Sequence, residues 1–472
     1  MRLLNTITYE LHTFPSPDVT PHYAILSHCW DAVGEVTFAD IQDLSRARAM
    51  PGWFKVEKAC AVARQEHHCR WLWMDTCCID KSSSAELSEA INSMFDWYLH
   101  SEICLAYLDD VPTCNDSDGC NEPLKASRWF TRGWTLQELI APTRAMHFLS
   151  KDWINLGTRR DLASVLEYIT KVDRSVLHGS ERWHHYRHIS DLRAMSVAKR
   201  MSWAAGRKTT RPEDRAYSLM GIFGVNMPIL YGEGSAKAFR RLQLEIIQES
   251  FDHSIFAWGS RDRISNPPPW RLDQCTPAGD NRANEWRGCA LLAKSPDDFQ
   301  HSADLRGESL TTLTDTLRLS AIRELHFYPT NYGIRIVLPL YFLGERSQWQ
   351  LYYALLACRA DSQSSGSGAW VGLLLMRVPR TDVYHCMNIS DTKVGDLDSV
   401  ASRVIELYAP ASRQRLLLFS DWKLSTIYIR DYVQAERSRD ALVRILRPLP
   451  PGLDPQAPSK SVGRPPPPWS FA

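Results

Sequence analysis

The chain has 472 residues, too many for one ordinary domain, so two or three are expected. A hydrophobic fraction of 44% with 23% charged residues is that of a globular protein able to bury substantial cores. Lys plus Arg number 55 against 54 for Asp plus Glu, and a net charge of +1 removes the usual electrostatic ground for a nucleic-acid or membrane partner. Residues 1–14 hold no sustained apolar run and no small-residue cleavage site, so no signal peptide is expected. No run of about 18 apolar residues is present to span a bilayer. A cytoplasmic setting with reduced thiols is the simple reading of the 12 Cys: the adjacent pair Cys77-Cys78 suits no disulfide framework, and without a C-x-x-C pair no metal site is expected. The 17 Trp fit both core and flat-ligand stacking.

In chain order, "YAILSHCW" (23–30) reads as a buried strand running into a polar loop, and "WFKVEKACAVARQE" (53–66) as a helix with Val56, Cys60 and Ala63 in phase. "RWLWMDTCCID" (70–80) is again strand-like, apolar and then acidic. "SSSAELSEAINSMFDWYLHS" (82–101) opens on serine caps and carries Leu87, Ile91, Met94, Phe95 and Tyr98 on one helical face. "EICLAYLDDV" (102–111) and "AMHFLS" (145–150) are further strands. Alternation of this kind predicts an α/β domain with a parallel sheet, whose ligands sit at the carboxyl ends of the strands. Those ends, "SHCWD", "DTCCIDK" and "LDDV", are all polar.

Residues 161–255 read as a mainly helical region, 256–446 as a β-rich domain and 447–472 as a proline-rich disordered tail. The β-rich domain is expected to contain strands at "SLTTLTDTLRLSAI", "YGIRIVLPLYFL", "WQLYYALLACRA", "WVGLLLMRV" and "RLLLFSDWKLSTIYIRDY". "DSQSSGSG" (361–368) is expected to be a loop. "YGEGS" (231–235) lacks phosphate-loop spacing and is expected to be a tight turn before a serine-capped helix. "RPEDR" (211–215) suits a structural charge network.

The ordered blocks "YAILSHCW", "GWFKVEKACAVA", "WLWMDTCCIDKSSSAELSEAINSMFDWY", "CLAYLDDV" and "WFTRGWTLQELIAP" resemble the heterokaryon incompatibility (HET) domain of filamentous fungi. The resemblance covers residues 22–150 and defines a HET domain over 1–160, and 211–247 resembles the helical region that often follows it. It implies a fungal source and a part in non-self recognition ending in cell death, a form of innate immunity. A second resemblance, to Toll/interleukin-1 receptor (TIR) domains, rests on "AILSHCWD" and on "WTLQEL", where Trp134, Glu138 and Leu139 match the Trp-Cys-x-x-Glu-Leu of TIR domains that cleave NAD. Thr135 stands where the cysteine would be, and Arg132 where a serine is usual.

That resemblance implies NAD as substrate, with no permanently bound cofactor, and Glu138 as the catalytic acid. Loss of nicotinamide puts positive charge on the ribose, which one carboxylate can stabilise. Ser27, Trp30, Asp80 and Trp134 are the expected ligand-binding residues. Each has a plainer alternative: Trp134 as core, Glu138 paired with Arg132 or Arg144, Asp80 as a helix cap, and Ser27 and Trp30 as an ordinary strand-to-loop turn. His28, Asp75, Lys81, Asp109 and Asp110 fall near the same strand ends. Activation by self-association, with an upstream receptor or other HET-domain proteins as partners, is the further implication. A homotypic interaction module without catalysis is the competing reading.

Overall fold

The computed structural model describes residues 1–31, 34–113, 121–178, 185–259, 261–264, 288–320, 326–346, 349–361, 368–387, 404–407 and 422–430. The proline-rich tail and all but the ends of "DSQSSGSG" lie outside the described residues. Residues 1–431 form one compact unit.

Seven strands make the first sheet: β1 (Arg2–Asn5), β2 (Leu11–Thr13), β3 (Tyr23–His28), β4 (Trp71–Trp73), β5 (Ile103–Tyr107), β6 (Ala145–Leu149) and β7 (Asn155–Thr158). Their order is β2-β1-β4-β3-β5-β6-β7. The inner four run parallel, with Tyr23 opposite Trp71, Ala24 opposite Ile103 and Ile103 opposite Ala145. Every residue of β3 and of β5 is buried, because helices cover both faces, and this is why their sequences read as unbroken apolar runs. The sheet as a whole is mixed, not purely parallel. The β1–β2 hairpin pairs antiparallel with β4 and β7 pairs antiparallel with β6, so short strands close both edges.

Connecting these strands are α1 (Phe38–Ile41), α2 (Leu44–Arg48), α3 (Trp53–Gln65), α4 (Asp75–Cys78), α5 (Ser84–His100), α6 (Asn121–Ala126) and α7 (Thr135–Ile140). Val56, Cys60 and Ala63 of α3 are buried in phase. In α5, Ser83 is the cap, accepting the Glu86 amide, and Ile91, Met94, Phe95 and Tyr98 are buried. The chain winds from β3 through α3 to β4, then returns past β3 to reach β5. The carboxyl ends of β3 and β5 therefore flank the point where the winding reverses, the usual seat of a ligand in such sheets.

The chain continues through α8 (Ala163–Thr170), α9 (Arg174–His178), α10 (His185–Ala194), α11 (Val197–Ser202), α12 (Asp214–Tyr217), α13 (Met220–Phe223) and α14 (Ser235–Glu249). "YGEGS" is a turn, but Ser235 does not cap α14. Gly234, at φ +85°, holds the cap position, and Glu213 accepts the amides of both Gly232 and Gly234 at 2.9 Å.

The β-rich portion contains β8 (Arg261–Ile264), β9 (Gly288–Cys289), β10 (Leu305–Gly307), α15 (Leu310–Leu317), β11 (Tyr328–Thr330), β12 (Gly333–Arg346), β13 (Trp349–Ala360), β14 (Ala369–Arg377), β15 (Val383–Met387), β16 (Val404–Leu407) and β17 (Lys423–Arg430). Pairings β12–β13, β13–β14, β14–β15, β15–β17 and β17–β12 close a ring of five strands, barrel-fashion. "SLTTLTDT" is helical, not a strand. Ser309 caps it by accepting the Thr312 amide, and Leu310, Leu313 and Leu317 share the face turned to β13 and its neighbours. The threonines suggested a strand, yet the leucines are spaced for a helix.

One continuous core of buried side chains runs from Leu3 in β1 to Ile429 in β17. Where α13 crosses α5 the two pack tightly: a Cβ built on Gly221 would lie 2.1 Å from Cβ of the buried Phe95. Gly221→Ala is expected to destabilise the protein by about 1–3 kcal/mol through overpacking, read as a lowered midpoint in urea. An unchanged midpoint would mean that α13 does not pack on α5 in this way.

Candidate functional site

The site starts from the carboxyl end of β3. Ser27 is wholly buried there and donates its hydroxyl hydrogen to the carboxyl of Glu138 on α7. The hydroxyl accepts in turn from the indole N–H of the buried Trp129, at 2.9 Å. An indole nitrogen can only donate, so this bond fixes the hydroxyl's direction and leaves its hydrogen for Glu138. Tyr98 of α5, whose hydroxyl donates to the Leu26 carbonyl at 3.1 Å, also lies against the Glu138 carboxyl.

Glu138 is 8% exposed. Burial pushes its carboxyl up to about 7, and the nearby Asp75 pushes the same way; the Ser27 hydroxyl, Arg132 and Tyr98 pull against them. Such a group takes up or releases a proton near neutral pH, or stands as an anion where a cation arrives. His28, the next residue, is buried and held well below its ordinary range, first by burial and then by Lys55, Arg132 and Lys81, so its ring is neutral. Its nitrogens stand 3.9 Å from Asp75 and from Glu35, too far for hydrogen bonds.

Salt bridges fix the loop that follows β3. Lys55 of α3 donates to the Cys29 carbonyl at 3.2 Å, to Asp31 at 3.0 Å and to Glu35, which satisfies all three ammonium hydrogens. Arg128 bridges Asp109 and, at 3.4 Å, Asp31. Asp110 accepts from the Ser127 hydroxyl and the Arg128 amide at 2.7 and 2.8 Å. Both acids after β5 thus hold the segment that carries Trp129. Trp30 is 39% exposed at the rim, with its indole N–H on Asp75 at 3.0 Å and the Lys81 ammonium 3.5 Å from its ring centre.

The helix bearing Glu138 is a short one, and buried cations support both of its ends. Before it, Arg207 donates to the Arg132 carbonyl at 2.9 Å and to the Thr135 hydroxyl at 3.3 Å. Thr135, at the position where the TIR motif has cysteine, also donates to the Trp129 carbonyl at 2.6 Å, tying the preceding turn to α7. After it, Arg159 donates to the Leu139 carbonyl at 2.7 Å and His188 meets the Ile140 carbonyl at 2.8 Å.

Ser27 and Glu138 are therefore directly bonded, whereas Trp30 stands at the rim on Asp75 and bonds to neither. Trp134 and Asp80 are engaged elsewhere. Trp134 precedes the first residue of α7 and gives its indole N–H to Asp214 at 3.2 Å, while Tyr231 donates to the same carboxylate at 3.0 Å. Asp80 accepts from the Ser82 amide and hydroxyl at 2.9 and 2.6 Å, an ordinary Asx turn before α5. Sequence reasoning missed Trp129, Lys55 and Arg207. Trp129 opens the quoted block "WFTRGWTLQELIAP", whereas no local spacing ties Lys55 or Arg207 to β3 or α7. Among the described residues no group of three or more His, Cys, Asp or Glu could hold a metal ion. Cys29, Cys60, Cys69, Cys77, Cys78 and Cys104 are buried free thiols.

A family model described as heterokaryon incompatibility protein (HET) matches residues 23–117. The chain carries a HET domain. The matched stretch contains Ser27, Trp30 and Asp80, and Glu138 lies beyond it. A second model, a domain of unknown function (DUF8212), matches 237–430, from α14 through β17. Vegetative incompatibility protein HET-E-1 of Podospora anserina is 44% identical over 239 residues, which is 49% of this chain and 16% of that protein. The chain thus spans about a sixth of the length of the relative it matches. No solved structure matches. No helix among the described residues is long and apolar enough to cross a membrane.

The raised Glu138 carboxyl carries a stability signature. The folded protein keeps the proton to about pH 7, whereas the unfolded chain releases it near the ordinary 4.5, so stability falls as pH rises between those values and stays lower above them. Glu138→Gln removes that loss. The variant is expected to match the parent at pH 4 and to exceed it at pH 8 by up to about 3 kcal/mol, measured by urea denaturation. Equal pH dependence in both proteins would show that Glu138 is not perturbed.

Proposed function

We propose that this protein acts in fungal heterokaryon incompatibility, a non-self response ending in cell death, and that its HET domain does so by cleaving NAD at Glu138. The role in incompatibility is supported by the HET family match and by the likeness to a vegetative incompatibility protein. The observation that carries the chemistry is one buried carboxyl, bonded to Ser27 at the strand ends where the sheet's winding reverses. The parallel order β4-β3-β5-β6 supports a TIR-like reading, since it is the doubly wound order in which the first strand lies between the second and third.

In this reading the ribose beside nicotinamide enters next to Glu138. The bond from C1′ to the pyridinium nitrogen breaks, its electron pair leaves with neutral nicotinamide, and positive charge develops on the ribose ring. The Glu138 carboxylate stabilises that charge. Water then adds to C1′, and its proton passes to the carboxylate and on to solvent, giving ADP-ribose. Trp30 at the rim offers a ring for a base, and Lys81 a cation for phosphate. Glu138 must be uncovered before it meets a sugar, which suits a site switched on by self-association.

Nicotinamide release from NAD by the purified full chain tests this. Release is expected to grow more than in proportion to protein concentration, to rise with pH through about 7 as the carboxylate forms, and to fall at least about 100-fold in Glu138→Gln. If folded protein releases none at any concentration, and Glu138→Gln still kills cells on overexpression, the chain is an interaction module and the enzymatic reading fails.

A further inference from the structure

Trp134 joins α7 to the helical region through its side chain. Its backbone is already helical, at φ −63° and ψ −36°, and its half-buried indole gives its N–H to Asp214 at 3.2 Å. Asp214, at the start of α12, is 8% exposed. Among the described residues its carboxylate accepts only from this indole and from the Tyr231 hydroxyl at 3.0 Å, both neutral donors, and has no ion pair. Arg211 lies instead over the Tyr231 ring, 3.9 Å from its centre. Burial pushes the Asp214 carboxyl above its ordinary value, against the pull of both bonds, because a carboxylate buried without a cation is unfavourable.

Gln137, three residues on and hence on the same side of α7, is 1% exposed, and its Nε2 has no hydrogen-bond partner. This side of α7 thus holds one costly carboxylate contact and one orphaned amide donor, an interface not built for greatest stability. Arg207 binds the Arg132 carbonyl ahead of α7 and Arg159 the Leu139 carbonyl at its end, so both hold the segment in shape. The bond from Trp134 to Asp214 engages no backbone group of α7, and so fixes only where the helix sits. The Asp214 side is rigid: Glu213 clasps the Gly232 and Gly234 amides, and α13 is packed on α5 at Gly221. If the bond breaks, α7 is the side that moves, and Glu138 moves with it.

We infer that the bond between Trp134 and Asp214 is an autoinhibitory latch: it seats α7 against the helical region, and its release lets α7 shift and uncovers Glu138. The latch works as a population shift, with most molecules closed and the loss of the bond raising the open fraction. Its regulatory meaning rests on the NAD-cleaving role of Glu138; the latch itself does not.

Hydrogen exchange of the full chain by mass spectrometry, run beside nicotinamide release at low protein concentration, tests the latch in Trp134→Phe and Asp214→Ala. The first keeps an aromatic ring and removes the donor; the second removes the acceptor from the other side. Each is expected to speed exchange in residues 135–141 about tenfold, the effect of losing one charge-assisted hydrogen bond, with α3 and α5 unchanged. The double variant should open no further than the larger single, since both remove the same bond. Release at low concentration should rise about tenfold in each, a gain that damaged folding cannot produce. Selectively faster exchange in α7, with no release from parent or variants, would keep the latch and remove the NAD reading. Unchanged exchange in 135–141 would overturn the latch. So would exchange quickened equally in α3 and α5, or release that falls in both variants while the parent cleaves NAD.

Discussion

The contact on which the site depends is the hydrogen bond from Ser27 to Glu138. It joins the first parallel strand to the short helix α7, 111 residues further on. Burying a carboxyl is unfavourable unless it is neutral or well partnered. Here both responses occur together: Ser27 and Tyr98 partner the group, and burial still lifts it to about 7. The remaining features follow from keeping that group in place. Trp129 orients the serine, Asp110 and Arg128 hold the segment bearing Trp129, and Lys55 holds the loop beyond Ser27.

Regions beyond the HET match take part in this support. A six-residue helix cannot be stable alone, since forming its first turn costs more than its few bonds return. Arg207 from the helical region anchors its start, and Arg159 and His188 its end. Trp134 is fastened to Asp214, whose neighbour Glu213 organises the turn before α14. Arg215 of the same "RPEDR" stretch binds the Arg207 carbonyl and, at 2.8 Å, Asp297. The charges in that stretch thus run from α7 to the start of the β-rich portion. Further in, Ala357 of β13 donates its amide to the buried His253 at 3.1 Å, so the barrel is bonded into the same framework.

How much was legible in the sequence follows from range. Strands β3 and β5 were readable because a parallel strand buried on both faces is a continuous apolar run, and β6 from its buried Met146, Phe148 and Leu149. Helices α3 and α5 were readable from their 3.6-residue period. The edge strands β1, β2 and β7 are too short and too mixed to announce themselves. The leucine spacing in "SLTTLTDTL" was present, but the threonines drew the reading toward a strand. At the site, the register of "WTLQEL" pointed to Glu138, and the polar strand end to Ser27, without saying that the two touch. Trp134 and Glu138, four apart, bond to different partners because Trp134 stands before the first helical residue and Asp214 arrives from 80 residues away. No spacing rule reaches that far.

The most direct measurement is the ionisation of Glu138 itself, from the protonated-carboxyl stretch in difference infrared spectra of the parent chain minus Glu138→Gln across pH. A carboxylic acid band present at pH 5 and lost with a midpoint near 7 is the expected result. Absence of that band at pH 5 would mean an ordinary ionised surface-like glutamate, and the account of a buried, proton-holding acid bonded to Ser27 would be wrong.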